Sequence, residues 1–268
     1  MKKISWILLI VLGLWVNVVS AERPDDIITT AERYVQHKKE LGYYEGFIAP
    51  HSVIICYQKS TLNHLLERFT DIEVSRASPY LYVTKDNKIG ILAGMGIGAP
   101  ALAAQVEQLA VLGVKRFVGV GTAGALLNKF EIGEFAIASK ALGEDGIAHL
   151  YLNGPNFVEG NTRLNKEWND FAPDLNFQET VAWSYSAIFR ERTSDLLRVT
   201  KLGCGVVEME TATLFAIAQE RGLEALALYV ISDVINPGVW VPHLKDPNVI
   251  AKTNLMADRV FQFLMLEK

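Results

Sequence analysis

Cysteine is scarce. The 268 residues hold two, Cys56 and Cys204, too few for a disulfide-built scaffold. Both sit in apolar surroundings and read as buried free thiols, although an exported chain could pair them. No Cys/His cluster has metal-ligand spacing, so no metal site is expected. An excess of basic charge is also missing. Lys and Arg number 26 against 30 Asp and Glu, a formal charge of −4, which gives no support for nucleic acid as a partner. Beyond the N-terminal segment no apolar run is long enough to span a bilayer, and there is no internal repeat or low-complexity tract. What is left is a chain long enough to bury one full core.

The chain opens with Met1-Lys2-Lys3, then an apolar run from Ile4 to Val19, then Ser20-Ala21. A basic start, an apolar stretch and a small-residue cleavage site describe a secretory signal peptide. An uncleaved anchor needs roughly 20 unbroken apolar residues; this run is shorter, and Asn17 interrupts its end. Cleavage after Ala21 is expected, leaving residues 22–268 as a single domain, exported to the periplasm or the medium. No stable membrane insertion is expected after cleavage, and no cysteine follows the run to carry a lipid anchor. Loss of Lys2 and Lys3 takes the formal charge from −4 to −6.

Apolar runs and glycine punctuation alternate along the rest. Ala31 to Leu41 reads as a helix, Ser52 to Tyr57 as a strand and Thr61 to Phe69 as a helix. Tyr80 to Val83 and Lys88 to Leu92 read as strands around an Asp86-Asn87 turn. A glycine-rich turn, Gly94-Met95-Gly96-Ile97-Gly98, then leads into a helix from Ala101 that Gly113 ends. Phe117 to Val120 is a buried strand running into Gly121-Thr122-Ala123-Gly124-Ala125. Phe135 to Ser139 is another strand, and His149 reads as a packed or turn histidine. Residues 153–179 look loop-rich, Trp240 to His243 a loop, and Val249 to Leu266 a closing helix. Strand–helix alternation with short connections predicts one α/β domain.

The densest stretch runs from Gly203 to Asp233. A helical middle ends at Gly222, and Ala225 to Ile231 is an unbroken apolar strand covered on both faces. Glu208 and Glu210 precede the helix and Asp233 follows the strand, the ends where open α/β sheets place chemistry. Three carboxylates near one cleft suit a ligand rich in hydroxyl donors. Equally, the two glutamates suit a helix start and Asp233 a turn. The two glycine-rich strand ends suit an anion such as phosphate, or tight turns only.

Taken together and in this order, Gly94-Met95-Gly96-Ile97-Gly98, Val120-Gly121-Thr122-Ala123-Gly124-Ala125, and Val207-Glu208-Met209-Glu210 with Ser232-Asp233 resemble the nucleoside phosphorylase family. That family holds purine nucleoside phosphorylases, uridine phosphorylases and related nucleosidases. The resemblance covers Val53 to the last helix. It implies a three-layer αβα sandwich around a mixed sheet, assembled as a homo-oligomer, dimer or hexamer. It further implies phosphate-dependent cleavage of a nucleoside to free base and pentose 1-phosphate, with inorganic phosphate as co-substrate and no cofactor. By resemblance Glu210 grips the ribose hydroxyls beside Glu208, Met209 packs under the sugar and Phe189 stacks on the base. Gly96 and Thr122 hold phosphate, and Asp233 protonates the departing purine. Two departures stand out. Gly119 occupies the place where phosphorylases commonly carry an arginine, and Cys56-Tyr57-Gln58-Lys59-Ser60 replaces their early Gly-Asp-Pro loop. Lys59 is the candidate for the missing cation, as a point charge rather than a planar fork. Arg190-Glu191-Arg192 stands where uridine phosphorylases carry the Gln-x-Arg pair that clamps uracil, which leans toward purines or an unusual base. Uridine phosphorolysis, a nucleosidase using water and a non-catalytic nucleoside-binding protein are the alternatives.

Overall fold

The computed structural model describes residues 27–151 and 157–266; the segment read as a signal peptide and its boundary lie outside them. Met1–Thr30 separates from Ala31–Lys268. The second unit begins with α1 (Ala31–Glu40), β1 (Ser52–Cys56) and α2 (Lys59–Arg68). Three short strands follow, β2 (Ile72–Val74), β3 (Leu81–Thr84) and β4 (Ile89–Ala93), then α3 (Ala99–Leu112). The middle holds β5 (Arg116–Leu126), β6 (Phe135–Glu144), β7 (Phe157–Glu159), α4 (Thr162–Phe171), β8 (Gln178–Tyr185), α5 (Thr193–Lys201), β9 (Cys204–Glu208) and α6 (Thr211–Arg221). Last come β10 (Glu224–Asn236), β11 (Val239–Pro242) and α7 (Pro247–Met265).

The layers follow from strands without polar alternation. Val53, Ile54 and Ile55 of β1 are all fully buried. Ile55 enters the apolar layer shared with α3 and α6, and Ile54 the layer shared with α2 and α7. The expected three-layer αβα sandwich results, and its sheet is mixed. β1 runs parallel to β4 and β5, while β3 opposes β4 and β9 opposes β5. α6 stops at Gly222, whose φ of 62° is the left-handed conformation glycine takes without a Cβ clash.

β5 decides where the site lies. One of its edges carries β10 from Arg116 to Leu126. The other carries β1 from Arg116 to Val120, then β9 at Gly124 and Ala125. Between them, at residues 121–123, one partner strand has left and the next has not arrived. Divergence of neighbouring strands opens a crevice at a sheet's carboxyl end. β10, β6, β8 and β9 return to β5, so five strands close a circuit beyond the crevice.

Several expectations need correction. Gly121 and Gly124 do not turn the chain. β5 runs straight through them because each glycine clears room for a neighbouring side chain. A Cβ on Gly121 would stand 2.8 Å from the Tyr57 ring, and one on Gly124 2.9 Å from an Asp233 oxygen. β10 likewise continues past Asp233, with an irregularity between Ile231 and Asp233. Trp240 to Pro242, read as loop, belongs to β11, which pairs back on β10. The stretch read as loop-rich contains α4, started by the Asn161 side chain accepting from the Leu164 N–H at 3.0 Å and buried through Leu164 and Trp168. α5 and β9 were not foreseen. Cys56 and Cys204 are buried free thiols as expected, and burial pushes both up to about 12.

Candidate active site

The crevice is lined by the ends of five segments. The turn between β9 and α6 brings Glu208, Met209 and Glu210. The loop before α3 brings Gly98. β10 brings Asp233, β5 brings Gly119 to Gly124, and the turn between β1 and α2 brings Tyr57 and Gln58.

Glu208 and Glu210 have separated roles. Glu208 Oε2 accepts from the N–H groups of Glu210 and Thr211 at 2.8 Å each and from the Thr211 hydroxyl at 2.9 Å. The Ser184 hydroxyl donates to its other oxygen. It therefore caps α6 from below, satisfying orphan helix N–H groups. The expectation that it reaches the nucleoside is corrected in favour of the helix-start role. Glu210 turns the other way, and its Oε1 accepts from the Gly98 N–H at 2.5 Å. Burial pushes its carboxyl up to about 8, with the Glu208 charge the next cause. Burial raises the Glu208 carboxyl as well, and the four donors it accepts from oppose that rise. Met209 lies over Gly98, its Cε 3.7 Å from where a Cβ there would be.

Asp233 is 9 % exposed. Its carboxylate accepts from the Ser232 hydroxyl and from the Trp240 indole N–H, both at 2.8 Å. Asp233 and Val207 flank Gly124 on opposite sides. The backbones of Asp233 and of Val207, the residue before Glu208, thus stand two strand spacings apart, roughly 10 Å. The room that Gly124 leaves is taken by the Asp233 carboxylate, Ile235 and Val207. Glu191, on the loop before α5, is pushed up to about 7 by burial and then by the Asp233 charge.

The other expected residues divide. Thr122 lies in the crevice, and its hydroxyl accepts from the Gln58 side-chain N–H at 2.9 Å. Lys59 is the exposed first residue of α2, whose start has no side-chain cap. Gly96 is exposed on the loop before α3. Phe189 does not enter the crevice; its ring is 91 % exposed. Sequence reasoning passed over Tyr57, Gln58, Ser184, Glu191 and Trp240. A signal for Trp240 was present: Pro237-Gly238 is hairpin chemistry, and the hairpin returns Trp240 opposite Ile235, within hydrogen-bond reach of Asp233.

The chain matches the model of the "Phosphorylase superfamily" over residues 52–264. It is 31% identical over 153 residues to "Purine nucleoside phosphorylase DeoD-type" of Clostridium beijerinckii, a match covering 56% of this chain and 64% of that relative. Uridine phosphorylase from Vibrio fischeri superposes with a TM-score of 0.69 at 22% identity, covering 82% of this chain and 93% of that one. A 5'-methylthioadenosine/S-adenosyl homocysteine nucleosidase from Campylobacter jejuni gives a TM-score of 0.68 at 16% identity, covering 80% and 98%. With most of its length matched, and the crevice built on the segments that carried the resemblance, the chain belongs to the phosphorylase superfamily.

Proposed function

We propose that the protein cleaves the N-glycosidic bond of purine nucleosides with inorganic phosphate as the second substrate, releasing free base and pentose 1-phosphate. One observation carries the reading: Asp233 pairs with Gly124 from one side, Val207, which leads into Glu210, pairs with it from the other, and both carboxylates are buried. Ionised Glu210 accepts hydrogen bonds from the sugar hydroxyls. As the glycosidic bond breaks, its electron pair goes to the base and positive charge develops on the sugar, which a carboxylate stabilises. Asp233 and Glu191 form the acid group at the base end, and Glu191, at about 7, holds a proton near neutral pH. Phosphate enters beside Thr122, where the uncapped start of α2 offers N–H groups and Lys59 a charge.

A second reading has water as the acceptor. It is favoured by Gly119, which brings no cation to β5. The purified protein is given inosine, adenosine, guanosine and uridine, each with and without phosphate. Pentose 1-phosphate formed from the purine nucleosides only with phosphate is expected. Free ribose at equal rates in both buffers refutes phosphorolysis and establishes the second reading. Lys59→Ala is expected to raise the half-saturating phosphate concentration and to leave nucleoside binding nearly unchanged.

Export and a homo-oligomeric state, dimer or hexamer, complete the proposal. Export rests on the first 21 residues of the sequence. Assembly rests on the family and on exposed apolar side chains, Ile188, Phe189, Val239 and Trp240, on the two segments beside Asp233. Light scattering on the purified protein gives the mass; a monomer at assay concentration removes the oligomer.

A further inference from the structure

In the parallel register of β1, β5 and β10, residue 57 falls opposite Gly121, with Tyr229 on the far side. Two tyrosines therefore flank one glycine on the face packed by α3 and α6. Tyr229 directs its hydroxyl to Thr211 at 2.5 Å and so joins the cap of α6. Tyr57 does something else. Its ring lies back along β5, over Gly121 and then Gly119. A Cβ on Gly121 would stand 2.8 Å from Cδ2, and one on Gly119 would stand 3.2 Å from the hydroxyl and 3.4 Å from Cε2. Real side chains essentially never approach as closely as 2.8 Å. The opposite neighbour of Gly119 is Ala227, again small. One phenol ring thus fills the room that a long side chain rising from position 119 would need.

We propose that Tyr57 is an acceptor-specificity residue: its ring over Gly119 and Gly121 keeps a cationic side chain out of the crevice, so the acceptor is bound without a planar guanidinium. This rests on the proposed glycosidic cleavage but not on which acceptor the wild type uses. The chemistry of the surroundings agrees. Tyr57 stays an uncharged phenol at any working pH, because burial and then the charges of Glu210 and Glu208 raise it well above the usual phenol range. A neutral ring beside two carboxylates is a poor host for a dianion. A phosphate that binds here depends on the α2 start and Lys59, with low affinity.

The test is an exchange in the full chain: Gly119→Arg, Tyr57→Ser and the two together, assayed for the ratio of pentose 1-phosphate to free pentose and for phosphate KM. Arginine forms charge-assisted bidentate bonds to phosphate. The double variant should lower phosphate KM by roughly tenfold or more, or, if the wild type uses water, gain phosphorolysis it lacked. Gly119→Arg alone should lose activity and melt at lower temperature, since the new side chain meets the Tyr57 hydroxyl. The wild-type product identifies the acceptor and judges the proposed function; the double variant judges Tyr57. A folded double variant with wild-type phosphate dependence overturns the proposal, and so does an equal gain from Gly119→Arg alone. A second measurement holds even if arginine prevents folding. Gly121→Ala should lower the melting temperature in the wild type but not in a Tyr57→Ser background. An equal drop in both backgrounds shows that the ring does not occupy this space, and overturns the proposal.

Discussion

Replacing Glu210 by glutamine tests the site through stability as well as through turnover. Glutamine keeps the shape and the acceptor for the Gly98 N–H, and it removes the titration. In the folded protein the Glu210 carboxyl is pushed from an ordinary 4.5 up to about 8 by burial and by Glu208. A folded-state value above the unfolded one means the folded state holds the proton more tightly. The associated stability is complete below about 4.5 and is lost as pH rises through about 8. Linkage makes the loss between pH 6 and pH 9 roughly 3 kcal/mol. For a chain of this size that is a fall of roughly 6–12 °C in the thermal midpoint. Glu208, also raised by burial, acts in the same direction, and so does Glu191 from about 7, less strongly because it is partly exposed. Glu210→Gln should therefore flatten the slope without abolishing it, and the variant should melt above the wild type at pH 9. Turnover should move the other way. If ionised Glu210 grips the ribose hydroxyls, wild-type kcat/KM climbs toward pH 8, and the variant loses both the climb and most of the rate. Melting curves and initial rates across that pH range check this. A variant with the wild-type slope, or a wild type that grows more stable toward pH 9, would refute the burial argument. Wild-type turnover in the variant would reduce Glu210 to a helix-start residue.

Asp233→Asn cannot give a proton, so inosine cleavage should fall by about 10²–10⁴, while a 7-methylpurine nucleoside, whose cationic base departs without protonation, should fall far less; equal losses would make Asp233 structural. Gly124→Ala puts a methyl group 2.9 Å from Asp233 Oδ2 and 3.2 Å from both Ile235 and Val207. It should cost about 1–3 kcal/mol of stability and lower turnover; a fully active, equally stable variant would show that Asp233, Ile235 and Val207 do not need that room. Mass spectrometry of the protein from its native source should find Glu22 as the first residue, and a chain beginning at Met1 would end the export reading.

The sequence by itself settled the layers and the neighbourhood of the chemistry. Unbroken apolar runs such as Val53-Ile54-Ile55 and Ala225 to Ile231, bounded by turn residues, fit strands buried on both faces, because an exposed face would show alternation. Gly113 and Gly222 announced helix ends through a conformation other residues avoid. Glu208, Glu210 and Asp233 were marked as site candidates from the residues and the resemblance alone. What sequence could not reveal was direction. Glu208 and Glu210 are two residues apart, yet one carboxylate turns under α6 as its cap and the other accepts from Gly98. That choice depends on where Ser184 and the α3 loop arrive, contacts separated by 24 and 112 positions along the chain. The same holds for Gly119, Gly121 and Gly124. Within one sequence a glycine in a turn and a glycine under another residue's side chain look alike. Only the pairing of β1, β9 and β10 on β5 makes these three the floor beneath Tyr57 and Asp233 rather than bends in the chain. Tertiary structure decided them because the atoms that need the room, the Tyr57 ring and the Asp233 carboxylate, come from segments far away in sequence.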